Sequence, residues 1–194
     1  MRVVKLGGSL SGAPELKAWL AALAGAAGRV VLVPGGGPFA DAVRDAQARL
    51  GFDDRAAHRM ALLAMEQFGM ALCGLEPDCL PARDEAEIAA SLAVGATPVW
   101  MPSRLCLGAP DIPESWDVTS DSLALWLAAR LGADGLALVK SVEAAGGADP
   151  AALARAGIVD RAFPEFHARF PLPWRVFGPS DAALLDGWLS GAAA

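Results

Sequence analysis

Two short apolar runs, each followed by glycines, constrain the fold most strongly. The first covers residues 2–6 and stops at a Gly-Gly pair, and the second covers residues 29–33 and ends before three consecutive glycines. A continuous apolar run of this length is typical of a strand that is buried on both faces of a sheet. Segments with helical character follow the two runs, at about 14–27 and 39–50. This alternation predicts an α/β fold in which helices cover a parallel sheet.

The rest of the chain extends the same pattern. We predict further helices at about 54–74, 84–94 and 122–131, further strands at 97–101, 136–140 and 174–177, and a closing helix that ends near residue 189. A proline-punctuated loop at 102–113 has the length that functional loops often have. The 194 residues are 54% hydrophobic and show no linker or internal repeat, so we expect a single domain over 1–194.

The charge balance and the cysteines disfavour several classes of protein. The chain has 16 Lys and Arg against 22 Asp and Glu, so it lacks the basic surface that binds nucleic acid or an anionic membrane. An odd count and the absence of a C-x-x-C pair predict core thiols, and no metal-ligating set, for Cys73, Cys79 and Cys106. The start of the chain has no signal-like apolar stretch, and no run reaches the ~18 apolar residues of a membrane span, so we expect a cytoplasmic protein.

The glycines lie where two neighbouring parallel strands end, which is where open α/β sheets bind ligands. Glycine lets backbone N–H groups approach phosphate oxygens, and a lysine at the strand end supplies positive charge. The alternative is an ordinary glycine turn beside a solvated lysine. Neither segment is a Walker loop or a dinucleotide fingerprint. The candidate phosphate-binding residues are Lys5, Gly7, Gly8, Ser9, Gly35, Gly36 and Gly37.

A second polar segment precedes the helix predicted at 122–131. It contains Asp117, Thr119 and Ser120, which are candidate substrate-binding residues, and it ends at Asp121. Asp121 could lie within reach of Lys5 and Lys140 at neighbouring strand ends and hold both ammonium groups in position. The alternative is a helix cap with an acid in the first turn, beside a lysine that leaves the sheet into solvent.

These motifs together resemble the amino acid kinase superfamily, which includes acetylglutamate, aspartate, uridylate and isopentenyl phosphate kinases. The resemblance rests on Lys5-Leu6-Gly7-Gly8-Ser9, on Gly35-Gly36-Gly37 and on the string from Ser115 to Ser122. The string looks like the branch that phosphorylates (aminomethyl)furanmethyl phosphate in methanofuran or methylofuran biosynthesis.

The resemblance implies a three-layer αβα sandwich with a mostly parallel sheet of about eight strands, and transfer of the ATP γ-phosphoryl group with Mg²⁺. It implies that Lys5 stabilises the moving phosphoryl group, that Asp121 orients the lysines, and that Lys140 lies near the nucleotide phosphates. It also assigns Gly7, Gly8 and Ser9 to ATP and Gly35, Gly36 and Gly37 to the acceptor. Residues 141–146 lack the family's Thr-Asp-Val-Asp-Gly pattern, which leaves the nucleotide preference open.

A second departure concerns the acceptor. Isopentenyl phosphate kinases have a histidine where this chain has Asp41, which cannot donate a hydrogen bond to phosphate unless it is protonated. Asp41 is therefore a candidate partner for a cationic group on the acceptor. His58 is a candidate substrate contact, whereas packing against aromatic residues explains His167. Arg104 either clamps a phosphate or is a solvated loop residue.

Three alternatives stay open from the sequence. The acceptor is a phosphate monoester or, as in acetylglutamate kinases, a carboxylate. A non-catalytic nucleotide-binding protein on the same fold would need no Lys5, Asp121 and Lys140 set, and all three are present. An apolar composition with six tryptophans predicts a homo-oligomer.

Overall fold

The computed structural model describes residues 1–143 and 149–191. Six strands form one sheet in the order β3-β4-β2-β1-β5-β6, and every neighbouring pair is parallel. The strands are β1 (Arg2–Leu6), β2 (Val30–Pro34), β3 (Cys79–Ala82), β4 (Thr97–Trp100), β5 (Leu136–Val139) and β6 (Trp174–Phe177). The predicted α/β class and parallel sheet are confirmed.

Helices connect the strands and cover the sheet. They are α1 (Leu16–Gly25), α2 (Gly37–Leu50), α3 (Asp54–Leu75), α4 (Glu85–Ala93), α5 (Ser103–Cys106), α6 (Ser120–Arg130), α7 (Pro150–Arg155), α8 (Phe163–Arg169) and α9 (Leu185–Leu189). Short 3-10 turns cover Gly8–Gly12 and Asp181–Leu184.

The sheet has a hydrophobic core on each face, because successive side chains of a strand point to opposite faces. Val3 and Leu138 belong to a core that includes α6 and α8. Val4 and Ala137 belong to a second core that includes α1 and α9. Both faces are therefore covered, as the continuous apolar runs predicted, and the three-layer αβα sandwich is confirmed.

The structure corrects several details of the sequence-based prediction. The described residues contain six strands rather than about eight, and the elements that they contain between β5 and β6 are the helices α7 and α8. Strand β3 was not predicted, because it lies at the sheet edge, where Leu80 is exposed and Pro81 is tolerated. Helix α6 begins at Ser120 rather than Ser122, and the loop at 102–113 contains α5.

The cysteines are free thiols, as predicted, with Cys79 and Cys106 buried. Burial raises the pKa of Cys79 to about 12, which leaves the thiol protonated at neutral pH. Within residues 1–143 and 149–191, every helix is too short or too polar to cross a membrane.

Candidate active site

Two lysines reach the same place because of strand register. Lys5 is paired with Leu138 on the adjacent strand β5, and Lys140 directly follows that strand. The two-residue period of a strand places Lys5 on the face that also carries Val3. Helix α6 covers this face, and its first turn carries Asp121.

Asp121 lies between the two ammonium groups. Its Oδ2 accepts a hydrogen bond from Lys140 Nζ at 2.5 Å, and its Oδ1 lies 3.0 Å from Lys5 Nζ. The side chains of Asp121 and Lys5 are only 5% and 6% exposed, and that of Lys140 is 13% exposed. The structure therefore brings together the three residues that the sequence singled out, in a buried cluster with one net positive charge.

The charges of this cluster shift one another's pKa values. Burial by itself raises the pKa of Asp121, but the positive charges of Lys5 and Lys140 outweigh it, and the pKa lies below its usual value. Burial, and then the positive charge of Lys5, lower the pKa of Lys140 from 10.5 to about 8, although Asp121 opposes this. Asp121 is thus ionised at neutral pH. Lys140 is a cation at neutral pH and loses its proton at a slightly higher pH, near 8.

A second carboxylate, the half-buried Asp160, fixes the start of α6. Asp160 Oδ2 accepts hydrogen bonds from the Thr119 amide at 2.9 Å and the Ser122 amide at 3.0 Å, and also from the Thr119 hydroxyl. The Asp160 amide in turn donates to Asp121 Oδ2 at 3.2 Å. Burial, and then the negative charge of Asp121, raise the pKa of Asp160 to about 6. Asp160 therefore caps the helix that positions Asp121.

The two glycine loops pack against each other, backbone on backbone. A Cβ atom on Gly8 would lie 2.1 Å from the Gly37 amide nitrogen, and one on Gly35 would lie 2.3 Å from that of Gly8. Gly37 also has a positive φ of 54°, which favours glycine. The close packing of one loop against the other by itself requires glycine at these positions. The sequence-based prediction explained the glycines only by the approach of phosphate.

The loops form one wall of a cavity of about 260 Å³. Gly8 and Gly37 are the first residues of a 3-10 turn and of α2, so their N–H groups have no acceptor within the helix. The lining residues are Gly8, Ser9, Gly36, Gly37, Ala40, Asp41, Arg44, His58, Ala61, Leu62, Met65, Trp116, Val118, Thr119, Ser120 and Leu123. The cavity thus combines hydrogen-bond donors at the loops with side walls that are partly apolar and partly polar.

A second, larger cavity of about 810 Å³ lies on the other side of the start of α6. Asp121, Lys140 and Asp160 line it, together with residues from α7 to Arg161. Trp116 and Thr119 line both cavities. Asp121 and Lys140 of the buried cluster therefore face the second cavity, whereas Lys5 is not among the lining residues of either cavity. Ser120, next to Asp121, faces the first.

A model of the amino acid kinase family matches residues 1–150 of the chain. The chain belongs to the amino acid kinase family. The chain is also 30% identical over 130 residues to the [5-(aminomethyl)furan-3-yl]methyl phosphate kinase of Methanocaldococcus jannaschii (strain ATCC 43067 / DSM 2661 / JAL-1 / JCM 10045 / NBRC 100440). That alignment covers 66% of this chain and 59% of the length of the relative.

Solved structures of amino acid kinases show the same fold. Uridylate kinase from Archaeoglobus fulgidus superposes with a TM-score of 0.69 at 18% identity, covering 98% of this chain and 96% of that one. Aspartate kinase from Synechocystis superposes with a TM-score of 0.63 at 18% identity, covering 92% of this chain and 37% of that one. The fold that the sequence motifs implied is therefore confirmed.

Several predicted site residues lie outside the first cavity. The amides of Gly7 and Gly35 donate to the Val139 and Leu6 carbonyls at 2.9 Å, which occupies both groups within the sheet. Arg104 lies 3.1 Å from Asp84, and it is not among the lining residues of the two cavities described above. Its helical turn directs it towards the acids at the start of α4, so the structure does not bring it to the loops.

Two further predicted residues have ionic partners. Asp117 lines the second cavity rather than the first and lies 3.5 Å from Arg161. Asp41 lines the first cavity, but it is exposed, and its carboxylate lies 2.8 Å from Arg44. Asp41 already has a cationic partner, which weakens its candidacy for binding a cation on the acceptor.

Three residues of the site, Arg44, Trp116 and Asp160, were not predicted as site residues from the sequence. Arg44 lines the first cavity, with its guanidinium 4.6 Å from the ring centroid of Trp116. The Trp116 indole donates to Gln47 at 2.7 Å, which fixes the ring at the boundary of the two cavities. Asp160 was missed because it follows an irregular segment far along the chain. The available signal for Arg44 was its spacing of about two helical turns after the glycines.

The site offers cationic groups and amides rather than metal ligands. Within residues 1–143 and 149–191, no three His, Cys, Asp or Glu side chains lie close enough to hold a metal ion. Asp121 is engaged by lysines and Asp160 by amides of α6. Residues 141–146, where the chain lacks the Thr-Asp-Val-Asp-Gly pattern of the family, lie partly outside the described residues, which end at 143 and resume at 149.

Proposed function

We propose that the chain is an ATP-dependent kinase that transfers the γ-phosphoryl group to a phosphate monoester. The candidate acceptor is the [5-(aminomethyl)furan-3-yl]methyl phosphate named for the archaeal relative, which would place the reaction in methanofuran or methylofuran biosynthesis. The main support is the buried cluster in which Asp121 holds Lys5 and Lys140 at the ends of adjacent strands. A nucleotide-binding protein without catalysis has no need for two buried lysines on one carboxylate.

The first cavity is the candidate site for the acceptor. Its phosphate would lie against the N–H groups at the start of α2 and of the turn at Gly8, because both helix ends present amides without intrahelical acceptors. The proposal thus gives Gly8 to the acceptor, whereas the resemblance assigned it to ATP. The rest of the acceptor would contact the apolar wall formed by α3. The ATP phosphates would approach from the second cavity, which Lys140 lines.

The reaction needs charge neutralisation and alignment more than proton transfer. An oxygen of the acceptor phosphate attacks the γ-phosphorus, the bond from that phosphorus to the β,γ-bridging oxygen breaks, and ADP leaves with the bonding electrons. A phosphate monoester is mostly dianionic above about pH 6, so no base has to remove a proton. Lys5 and Lys140 would offset the negative charge that gathers on the transferring group.

Mg²⁺ would enter with the nucleotide. Magnesium ions in kinases are held largely by substrate phosphates and water, with few protein carboxylates. The carboxylates of Asp121 and Asp160 are engaged elsewhere, so the ATP phosphates would supply most of the ligands. The ion would add positive charge at the transferred group.

Other features of the protein stay proposals too. We infer a single domain over 1–194 that acts in the cytoplasm as a homo-oligomer. Apolar side chains that α3 exposes, among them Leu63 and Met70, support contact with a second copy. Light scattering of the purified chain measures the stoichiometry.

A substrate panel tests the proposed function. ADP release is measured with [5-(aminomethyl)furan-3-yl]methyl phosphate, UMP, isopentenyl phosphate and acetylglutamate. We expect release with the furan, and a kcat at least about 100-fold lower in Lys5→Ala with little change in KM, because the lysine acts in the transition state. Lys17→Ala is the matched control, since Lys17 is an exposed lysine on α1. Faster release with acetylglutamate would instead identify a carboxylate kinase.

A further inference from the structure

His58 is a buried polar residue in the first cavity that the phosphoryl-transfer chemistry does not use. It lies in the first turns of α3 and is 3% exposed. Its Nδ1 lies 3.1 Å from the Ser115 carbonyl oxygen. Its Nε2 is also buried and has no hydrogen-bond partner among residues 1–143 and 149–191. Buried polar atoms are nearly always hydrogen-bonded, so this nitrogen calls for a partner.

The contact with Ser115 fixes which nitrogen carries the proton. A carbonyl oxygen only accepts hydrogen bonds, so Nδ1 must be the donor. Burial lowers the pKa of His58 below its usual value of 6.5, and the nearby Arg59 adds to this, while Ser115 and Glu114 oppose it. The ring is therefore neutral at neutral pH. In that tautomer Nε2 carries a lone pair and can only accept a hydrogen bond.

The chemistry of the cavity limits what this lone pair can receive. A phosphate group has no proton to donate near neutral pH, so the anionic end of an acceptor is a poor partner for Nε2. Hydrogen-bond donors for the phosphate are at the glycine loops, on a different wall from α3. Asp41, the other candidate for a cation, is exposed and already paired with Arg44.

We propose that His58 Nε2 accepts a hydrogen bond from an ammonium group on the phosphoryl acceptor. His58 then selects a phosphate monoester that carries an amine over one of the same shape without it. The proposal rests on the proposed function, and it replaces Asp41 with His58 as the residue that recognises the amine.

The test combines a change in the protein with a change in the acceptor. In His58→Asn the side-chain amide nitrogen can still donate a hydrogen bond to the Ser115 carbonyl, but the acceptor at Nε2 is lost. His58→Gln places an amide oxygen, which is an acceptor, near the position of Nε2. The two acceptors are [5-(aminomethyl)furan-3-yl]methyl phosphate and its analogue with methyl in place of aminomethyl. Wild type and His167→Asn serve as controls, because His167 packs against Phe163 and Trp174.

We expect His58→Asn to raise KM for the amine about 10- to 100-fold, the usual effect of losing a hydrogen bond to a charged group. KM for the methyl analogue and kcat with either acceptor should stay close to wild type, and His58→Gln should restore part of the affinity for the amine. An equal rise in KM for both acceptors would overturn the proposal and leave the kinase activity standing. ADP release with neither acceptor in wild type would contradict the proposed function instead.

Imidazole ¹⁵N NMR gives a readout that does not depend on turnover or on the stability of the His58 variants. His167→Asn leaves one histidine, so the remaining signals belong to His58. We expect the Nδ1–H tautomer in the free protein, and a shift of the Nε2 signal towards a hydrogen-bonded nitrogen when the amine is added without ATP. A proton on Nε2 in the free protein, or the same shift with the methyl analogue, would overturn the proposal.

Discussion

Replacing Asp121 by Asn removes one charge from the buried cluster and keeps the size of the side chain. Unit charges at 3.0 Å and 2.5 Å attract each other by about 5–7 kcal/mol per pair at an effective dielectric constant of about 20. Desolvation cancels most of this attraction, and breaking a buried pair by removing one partner costs about 3–5 kcal/mol. Whole domains are stable by about 5–15 kcal/mol, so Asp121→Asn should lose about a fifth or more of the free energy of unfolding.

The loss should depend on pH because Lys140 titrates. In wild type the folded state lowers the pKa of Lys140 from 10.5 to about 8, so the unfolded state binds more protons between these values and stability rises with pH there. Without the charge of Asp121 the pKa of Lys140 falls further, and the rise begins at lower pH. The gap in stability between Asp121→Asn and wild type should therefore widen below about pH 8, by up to about 1.4 kcal/mol per pH unit.

Urea unfolding followed by tryptophan fluorescence measures both effects, at one pH above 8 and one below 7. Asp117→Asn is the matched control, because this carboxylate lies near the start of the same helix but is 58% exposed. We expect the control to change the unfolding free energy by less than about 0.5 kcal/mol. Equal midpoints for Asp121→Asn and wild type at both pH values would refute the charge pairing described for the cluster.

Three further perturbations follow from the same geometry. In wild type, kcat/KM should fall above about pH 8 as Lys140 loses its proton. In Lys140→Arg this fall should disappear from the accessible pH range, because arginine stays protonated. A fall at the same pH in Lys140→Arg would show that another group titrates. Asp160→Ala should lower the unfolding free energy by about 2 kcal/mol in urea titrations, since α6 loses its cap, and no change would contradict that role. Gly8→Ala, with a Cβ 2.1 Å from the Gly37 nitrogen, should lower the thermal midpoint and the activity; Gly12→Ala, with nothing within 4 Å, is its control, and equal midpoints would exclude the clash.

The sequence predicted the elements whose burial is uniform. Strands β1, β2 and β5 are buried on both faces, so their residues form apolar runs that need no knowledge of their neighbours. Strand β3 has one exposed residue and a proline at the sheet edge, so its sequence carries no comparable pattern.

The site residues that parallel strands bring together could be predicted from the sequence, and those that loops bring to the site could not. Lys5, Asp121 and Lys140 meet because two parallel strands end side by side under the start of one helix. Asp160 reaches that helix from 39 residues further along, through a path that no local pattern encodes. The ionic partners of Arg104 could not be predicted either, since Asp84 and Glu87 lie at the start of another helix, α4.

The product of the reaction gives the most direct test of phosphoryl transfer to a phosphate. ³¹P NMR of ATP and [5-(aminomethyl)furan-3-yl]methyl phosphate with the enzyme should show a pair of coupled signals from a new P–O–P bond, growing at the rate of ADP. Wild type and Lys17→Ala should form it equally, and Lys5→Ala at least about 100-fold more slowly. ADP accompanied by free orthophosphate, or equal rates in Lys5→Ala, would contradict transfer at the Lys5, Asp121 and Lys140 cluster.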